Sequence, residues 1–466
     1  VGLIAALAAM AACVADKLEV SQWAGDVAKL LVHLRVLVAA HKNELAHPTA
    51  WPLVATALGG APGVEVDVGD GRESARAAAG VLVGGAIKHS PTPESVELIS
   101  LMIGADVRPW IDRASDLARG PSALCTDARE GASAAPHHPL WPIFARGMKP
   151  KKQHEVRAVC NVVGDLLGAQ AAASVVVDLG SGKGYVPQWL AAALGATVVC
   201  VEGEAAYTAS AKKRLAKIVA QIAKREPDRA AALDAAVHHV IARLEPDQPC
   251  PPLVPDTLAS AASTTVLMGL HTCGDLAATV MRSYVASSFH ALALAPCCYN
   301  LRTEAGFPLS IGVGAPLADA GVVIGGNERN TSVHCVHKWA DAQFRENELV
   351  DRIEALFVRA AAGYMATAAA ASTSAPLPSG SAAIWRDDAL ATARRLAPDA
   401  DPTHLAAHYD SLVSAAGGSE ELAFARYSAL YTLLNVLAPV LEMMFLVDGA
   451  AYLHEAGIHA QVREVF

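Results

Sequence analysis

The sequence predicts an α/β fold: a doubly wound parallel sheet, preceded by a helical N-terminal region and interrupted by a helical insertion. Three observations carry this expectation. From Lys149 onward, short and strongly apolar runs alternate with helix-patterned stretches. The first such run ends in an acid followed by three glycines at alternate positions. The first third of the chain is alanine-rich, helical in pattern and free of motifs.

Composition sets the bounds. A chain of 466 residues, 53% of them apolar, can bury a large core and make up about three domain-sized units. Its net charge of −9 excludes a globally basic nucleic-acid clamp but leaves room for a local basic patch. The nine cysteines are odd in number and irregular in spacing, so no disulfide framework is expected. A reducing compartment, cytoplasmic or nuclear, follows from that usage. The opening "VGLIAALAAMAACVADKLEV" is apolar for about fifteen residues, short for a membrane span and without the basic start of a signal peptide. It reads as a buried helix, and no membrane partner is expected.

Taken in order, residues 1–145 form a helical N-terminal region, broken at 59–71 and 131–142 by glycine and proline. Residues 146–305 hold the core. There "VVVDLG" (175–180), "TVVCVEG" (197–203), "TTVLMGLH" (264–271) and "HALALAPCCY" (290–299) read as strands buried on both faces. Stretches 205–226 and 275–287 read as the helices between them. Residues 306–421 form the insertion, with a Ser/Pro/Gly-rich flexible linker near 364–383. Residues 422–466 supply C-terminal helices and a last strand, "HAQVREVF", expected to complete the core.

The glycine bend is the most informative stretch. Gly180, Gly182 and Gly184 let the backbone turn sharply and approach a ligand with no Cβ in the way. A dinucleotide fingerprint spaces its glycines G-x-G-x-x-G. This chain reads D-x-G-x-G-x-G, with Asp178 at the strand end. A carboxylate in the bend is a poor host for a diphosphate and a good host for a ligand carrying an ammonium. Glu202 ends the second strand, where an acid can accept hydrogen bonds from ribose hydroxyls. Together these features suit S-adenosylmethionine, which has an amino-acid tail, a sulfonium and a ribose but no phosphate. A strand–turn–helix whose glycines serve only packing is the simpler alternative.

Three more stretches surround this bend: "MKPKKQHEV" (148–156), "GLHTCGDLA" (269–277) and "LAPCCYN" (294–300). In this order and spacing the chain resembles class I S-adenosylmethionine-dependent methyltransferases of the group that includes ribosomal RNA adenine dimethylase domain-containing proteins. A related tRNA 2′-O-methyltransferase family also carries a paired-cysteine motif at the fifth strand. The resemblance extends from Lys149 to the end, outside the low-complexity insertion. It implies a Rossmann-like methyltransferase sheet and methyl transfer to RNA or a translation-related protein. Asp178, Gly180, Gly182 and Gly184 would hold the methionine part of the cofactor and Glu202 its ribose. Lys152, His154 and Glu155 would face the cofactor, and His271, Cys297, Cys298 and Tyr299 the reaction. Where adenine N6 methylases carry an Asn-Pro-Pro-Tyr type motif, this chain reads Ala295-Pro296-Cys297-Cys298-Tyr299. The amide that would accept from an exocyclic amine is therefore missing.

Each of these residues also has a plainer reading. "MKPKKQHEV" starts a helix with Pro150 at its first position, and its lysines oppose the macrodipole unless an anion lies nearby. That anion is Glu155, the cofactor carboxylate or an RNA phosphate. With Arg146 and Arg157, residues 146–157 form the densest basic cluster beside the expected site. His271, Cys273, Asp275, Cys297 and Cys298 gather at the mouth of the sheet, which raises a metal. Neither segment has Cys-x-x-Cys spacing, and adjacent residues on a strand point to opposite faces, so no metal is expected. Asp275 reads as a helix cap. A cysteine can attack a pyrimidine ring, although buried cysteines are commonly inert packing. Tyr299 reads as a stacking platform for a planar substrate or a cofactor contact. His334, Cys335 and His337 form a weak metal pattern and are taken as ordinary polar residues. Pro439 is expected to restart the last helix, placing Glu442 in a first turn, and neither Glu442 nor Asp448 is assigned a role. Two other functions fit the same fold: a cofactor-binding module without turnover, and a nicotinamide-dependent oxidoreductase.

Overall fold

The computed structural model describes the chain except residues 1, 35–36, 38–49, 59–65, 67, 70, 85–92, 104–105, 123, 127–137, 245–257, 259–261, 334–345, 372–384 and 464–466. His334, Cys335 and His337, and the linker beyond 371, therefore lie outside the described residues.

Contacts divide the chain into two units, one of residues 1–20, 122–314 and 445–466, the other of residues 21–121 and 315–444. The boundaries at 145, 305 and 421 expected from sequence do not coincide with these.

The first unit is built on five parallel strands: β1 (Ser174–Leu179), β2 (Thr197–Glu202), β3 (Val237–Ile241), β4 (Thr264–Cys273) and β5 (Ala291–Cys297). Their order is β3-β2-β1-β4-β5, the doubly wound Rossmann-like arrangement of the methyltransferase fold. β1 is central and buried at all six positions. Alternation along it feeds two cores. Val176 joins Val198, Cys200 and Val266 on one face. Val175, Val177 and Leu179 join Val199, Val201 and Leu267 on the other.

Helices cover both faces. On the first lie α1 (Pro150–Leu167), α2 (Tyr185–Leu194), α3 (Ala205–Ala223) and α4 (Pro227–Ala236). α5 (Leu276–Val285) covers the second with Val280, Met281 and Tyr284. In α1, Val156, Val159, Cys160, Val163 and Leu167 recur at helical spacing and form its buried stripe. Pro150 opens it behind the extended Lys149, as the sequence predicts. β3, "VHHVI", escapes the sequence reading because two histidines interrupt its apolar run.

The expected last strand departs from the sequence reading. Val462–Arg463 pairs in parallel with Cys125–Thr126, outside the five-stranded sheet. Two residues on each side make only a short ladder, and the described residues of this segment do not join the core sheet. Pro439 does not restart a helix either: Glu420–Glu455 is continuous through it. Tyr364–Ala371, expected as the start of a flexible linker, continues helix Glu346–Ala371, as its alanine content favours.

The second unit is helical. Phe357, Trp385, Phe424 and Tyr427 form its aromatic centre, with ring centroids between 4.8 and 5.8 Å. Glu354 is buried beside them and accepts from Trp385 Nε1 at 2.6 Å and Arg72 Nε at 2.6 Å, and from Arg76. These charged hydrogen bonds outweigh the upward push of burial and hold its carboxyl below the usual range. Helix Glu420–Glu455 is long and apolar enough to cross a membrane by length and composition, but 72% of its most apolar stretch is buried inside the protein, the pattern of a core helix.

Candidate active site at the carboxyl ends of the strands

The bend after β1 takes the shape its glycines allow. Gly180, Gly182 and Gly184 all adopt positive φ, at 73°, 54° and 73°. The amides of Gly180 and Ser181 both donate to Val201 O, at 2.9 and 3.1 Å, which ties the bend to β2. The glycines differ in purpose. A Cβ at Gly184 would lie 2.7 Å from Gln188 Nε2 and 3.1 Å from Ala211 Cβ, so that position is closed by packing. A Cβ at Gly182 would meet only Gly180 O, at 3.9 Å. Gly182 thus faces open space, where a side chain would fill the approach.

Asp178 sits beneath this bend, 3% exposed, and no protein donor reaches its carboxylate among the described residues. Burial, with the nearby Glu202 carboxylate adding to it, pushes its carboxyl up to about 8. Glu202 is committed to the loop itself: Oε2 accepts from Gly182 N at 2.8 Å and Oε1 from Glu204 N at 2.9 Å. Each of its oxygens keeps a lone pair for another donor. An orphaned buried carboxyl, a second carboxylate beside it and a bend open at Gly182 suit a cationic nucleoside, so the residues fit S-adenosylmethionine.

The "KKQHEV" segment and the end of β4 converge. Glu155, 3% exposed on α1, accepts from Lys152 Nζ at 2.8 Å and pairs with Lys151 Nζ at 3.6 Å. Its Oε2 also lies 3.0 Å from His271 Nε2. Burial alone would raise the Glu155 carboxyl; the Lys152 and His271 hydrogen bonds outweigh that and lower it. Of the three anions expected there, Glu155 is the one that stands beside Lys151 and Lys152. His271 reaches it from a left-handed conformation, φ 63°, where the β4–β5 register shifts between Leu270 and Thr272. In the tautomer that carries its ring proton on Nε2, His271 donates to Glu155 and leaves Nδ1 as an acceptor. His154, by contrast, is exposed and makes no hydrogen bond among the described residues, so it is not brought into this cluster.

Around the ends of β4 and β5 three residues depart from the sequence expectation. Cys297 and Cys298 do not point apart. Cys298 leaves the strand with φ 51°, and its sulfur lies 3.6 Å from that of Cys297, which is 3.4 Å from Cys273 Sγ. Tyr299 is no substrate platform: 2% exposed, it stacks on Phe445 at 4.9 Å and is overlain by Arg302. Asp275 does not cap α5 with its side chain. It accepts from Thr303 N at 2.9 Å and Thr303 Oγ1 at 2.7 Å, fastening the chain that follows β5. Burial first, and the neighbouring thiols second, raise Cys297, which keeps it a thiol and a weak nucleophile.

Sequence reading missed the brace behind the glycine bend. Gln188 on α2 donates to Ala211 O at 2.9 Å, and Arg214 on α3 bonds Gln188 and Phe144 O while lying 4.7 Å above the Tyr185 ring. The spacing of Tyr185 and Gln188 in the turn after the glycines was the available signal.

Residues 151–304 match a family model described as a methyltransferase domain. The match covers this bend, the strand ends and the Glu155–His271 pair. No solved structure matches the chain.

Proposed function

Proceeding from a segment matched as a methyltransferase domain, we propose that the protein is an S-adenosylmethionine-dependent methyltransferase whose acceptor is RNA. The observation that carries the cofactor reading is Asp178: a buried carboxyl without a protein donor, under a glycine bend open at Gly182. Asp178 takes the ammonium of the cofactor's amino-acid tail, and the free lone pairs of Glu202 take the ribose hydroxyls. When bound, the cofactor supplies an electrophilic methyl group on a sulfonium. Gly180 and Gly182 allow the backbone close to it, and Gly184 and Gln188 hold the bend in shape. Lys152 acts through Glu155, keeping it ionised; Glu155 fixes the His271 ring, and Nδ1 of His271 is then able to accept a proton from an attacking hydroxyl or amine. Methyl transfer otherwise depends on alignment and exclusion of water. The RNA reading is supported by the exposed cations Arg146, Lys149 and Lys151 before and in the first turn of α1, of which Arg146 also donates to Gln221 Oε1 and Lys151 also pairs with Glu155. A translation-related protein is the other acceptor class that the sequence suggests.

Calorimetry on the full chain tests the cofactor reading: S-adenosylmethionine binds, NAD does not, and Gly182→Val weakens binding at least tenfold without unfolding the chain. Binding of NAD in place of S-adenosylmethionine would overturn it. Incubation with extract and methyl-labelled cofactor tests the acceptor. Label in RNA supports the proposal, label in protein moves it to the second class, and no label in any fraction favours a module without turnover.

A further inference from the structure

Beside the cofactor bend lies a group of side chains that the proposed reaction does not use. The sulfurs of Cys273, Cys297 and Cys298 all lie within 4.8 Å of one another. Two adjacent strands and one unusual backbone conformation bring them there. β4 and β5 are parallel, and after the irregularity at Leu270/Thr272 their register pairs Cys273 with Cys297. In a regular strand Cys298 would face away from Cys297. Its left-handed φ of 51° turns it back toward the same side. Among the described residues, His271 and Cys298 are the only non-glycine positions with positive φ; the second carries one of these thiols and the first lies two residues before another. Such conformations cost about 1–3 kcal/mol each and persist where the surroundings or a function hold them.

We propose that Cys273, Cys297 and Cys298 form a three-thiolate site for Zn2+ with its fourth position open. Three thiolates around a tetrahedral Zn2+ at ~2.3 Å stand roughly 3.8 Å apart. The contacts of 3.4 and 3.6 Å lie within a few tenths of an ångström of that edge. Thiolate is the soft donor that selects this class of ion over magnesium or calcium. Three protein ligands with a fourth place left for water or substrate is the pattern of reactive zinc centres, whereas structural sites are closed by four. Cys273 is exposed, which gives the ion an entry path. Its sulfur also contacts His271 O at 3.3 Å, which orients it. On binding, each thiol gives up its proton: one Zn2+ enters, three protons leave, and the site gains one net negative charge. The site is argued from the thiols alone and stands whether or not the domain transfers methyl groups.

The test uses the full chain, purified with reductant and stripped of metal by a chelator. Titration with Co2+ reads the site optically. A sulfur-to-cobalt charge-transfer band that saturates near one equivalent, with the strong visible bands of a tetrahedral centre and displacement by Zn2+, is the expected result. Cys273→Ser and Cys297→Ser each abolish the band while circular dichroism stays unchanged; Cys125→Ser, outside the cluster, leaves it intact. Absence of the band in the folded, reduced chain overturns the proposal. So does a band that survives the Cys273→Ser/Cys297→Ser double variant. Mass spectrometry of protein alkylated at lysis gives a third reading: a Cys273–Cys297 disulfide as the main cellular form would also overturn it.

Discussion

Asp178 joins the cost of the site to its use. Its carboxyl is ordinary at 3.8 when unfolded and near 8 when folded, because burial and then Glu202 disfavour the charge. The sign follows. Below about 3.8 the group is protonated in both states and costs nothing; the penalty grows between 3.8 and 8 and is complete above 8. Asp178→Asn removes it, so the variant is more stable than the parent by about 2–5 kcal/mol at pH 8.5, with the gap closing toward pH 4. The same variant loses S-adenosylmethionine binding at least tenfold. Thermal melts across pH, paired with calorimetry, check both halves. Glu155 behaves oppositely. Its folded carboxyl is lowered, so its contribution is present above the unfolded value of 4.5 and fades as pH falls through the lower folded value. Glu155→Gln therefore costs about 1–3 kcal/mol at pH 7, and urea melts at pH 3 show a smaller difference. Asp178 and Glu202 were legible in the sequence because acids at strand ends interrupt β-branched runs. Tyr299 was not, because its partner Phe445 arrives from far along the chain. Nor was the meeting of Cys297 and Cys298, since the φ of Cys298 is set by what surrounds it.

At the scale of elements, alternation of strands and helices was readable wherever apolar runs were pure, as in β1, and failed at β3, where His238 and His239 stand in the run. The irregularity in β4 was not readable, although a glycine marks it. A Cβ at Gly269 would lie 2.5 Å from Thr272 Cγ2 and 3.3 Å from Leu179 O. Gly269 thus lets β4 pass close to the end of β1 while the strand shifts register toward His271. Gly269→Val is expected to cost about 1–3 kcal/mol through overpacking and to move His271 away from Glu155. A lower urea midpoint, together with a changed His271 imidazole signal in NMR, is the outcome to look for.

At the scale of the whole molecule, the two units rest on different kinds of interior. The first is apolar on both faces of its sheet. The second gathers Arg72, Arg76 and Trp385 around buried Glu354, an arrangement no local sequence pattern announces because its members come from three separate segments. Glu354→Ala strands the Trp385 indole N–H inside the protein and is expected to cost about 2–4 kcal/mol. Scanning calorimetry reads this as a lowered transition. S-adenosylmethionine affinity at 25 °C is expected to stay unchanged, since Asp178 and Glu202 belong to the other unit.

With its carboxyl near 8, Asp178 enters a neutral solution mostly uncharged. An arriving ammonium favours the ionised form, so loading the proposed cofactor at pH 7 is expected to discharge close to one hydrogen ion into the medium. The heat of loading then depends on the buffer that takes up that ion. Tris and phosphate, whose ionisation heats differ widely, are expected to give different apparent enthalpies at equal affinity. Identical heats in the two would mean that this carboxyl was already ionised before the ligand came.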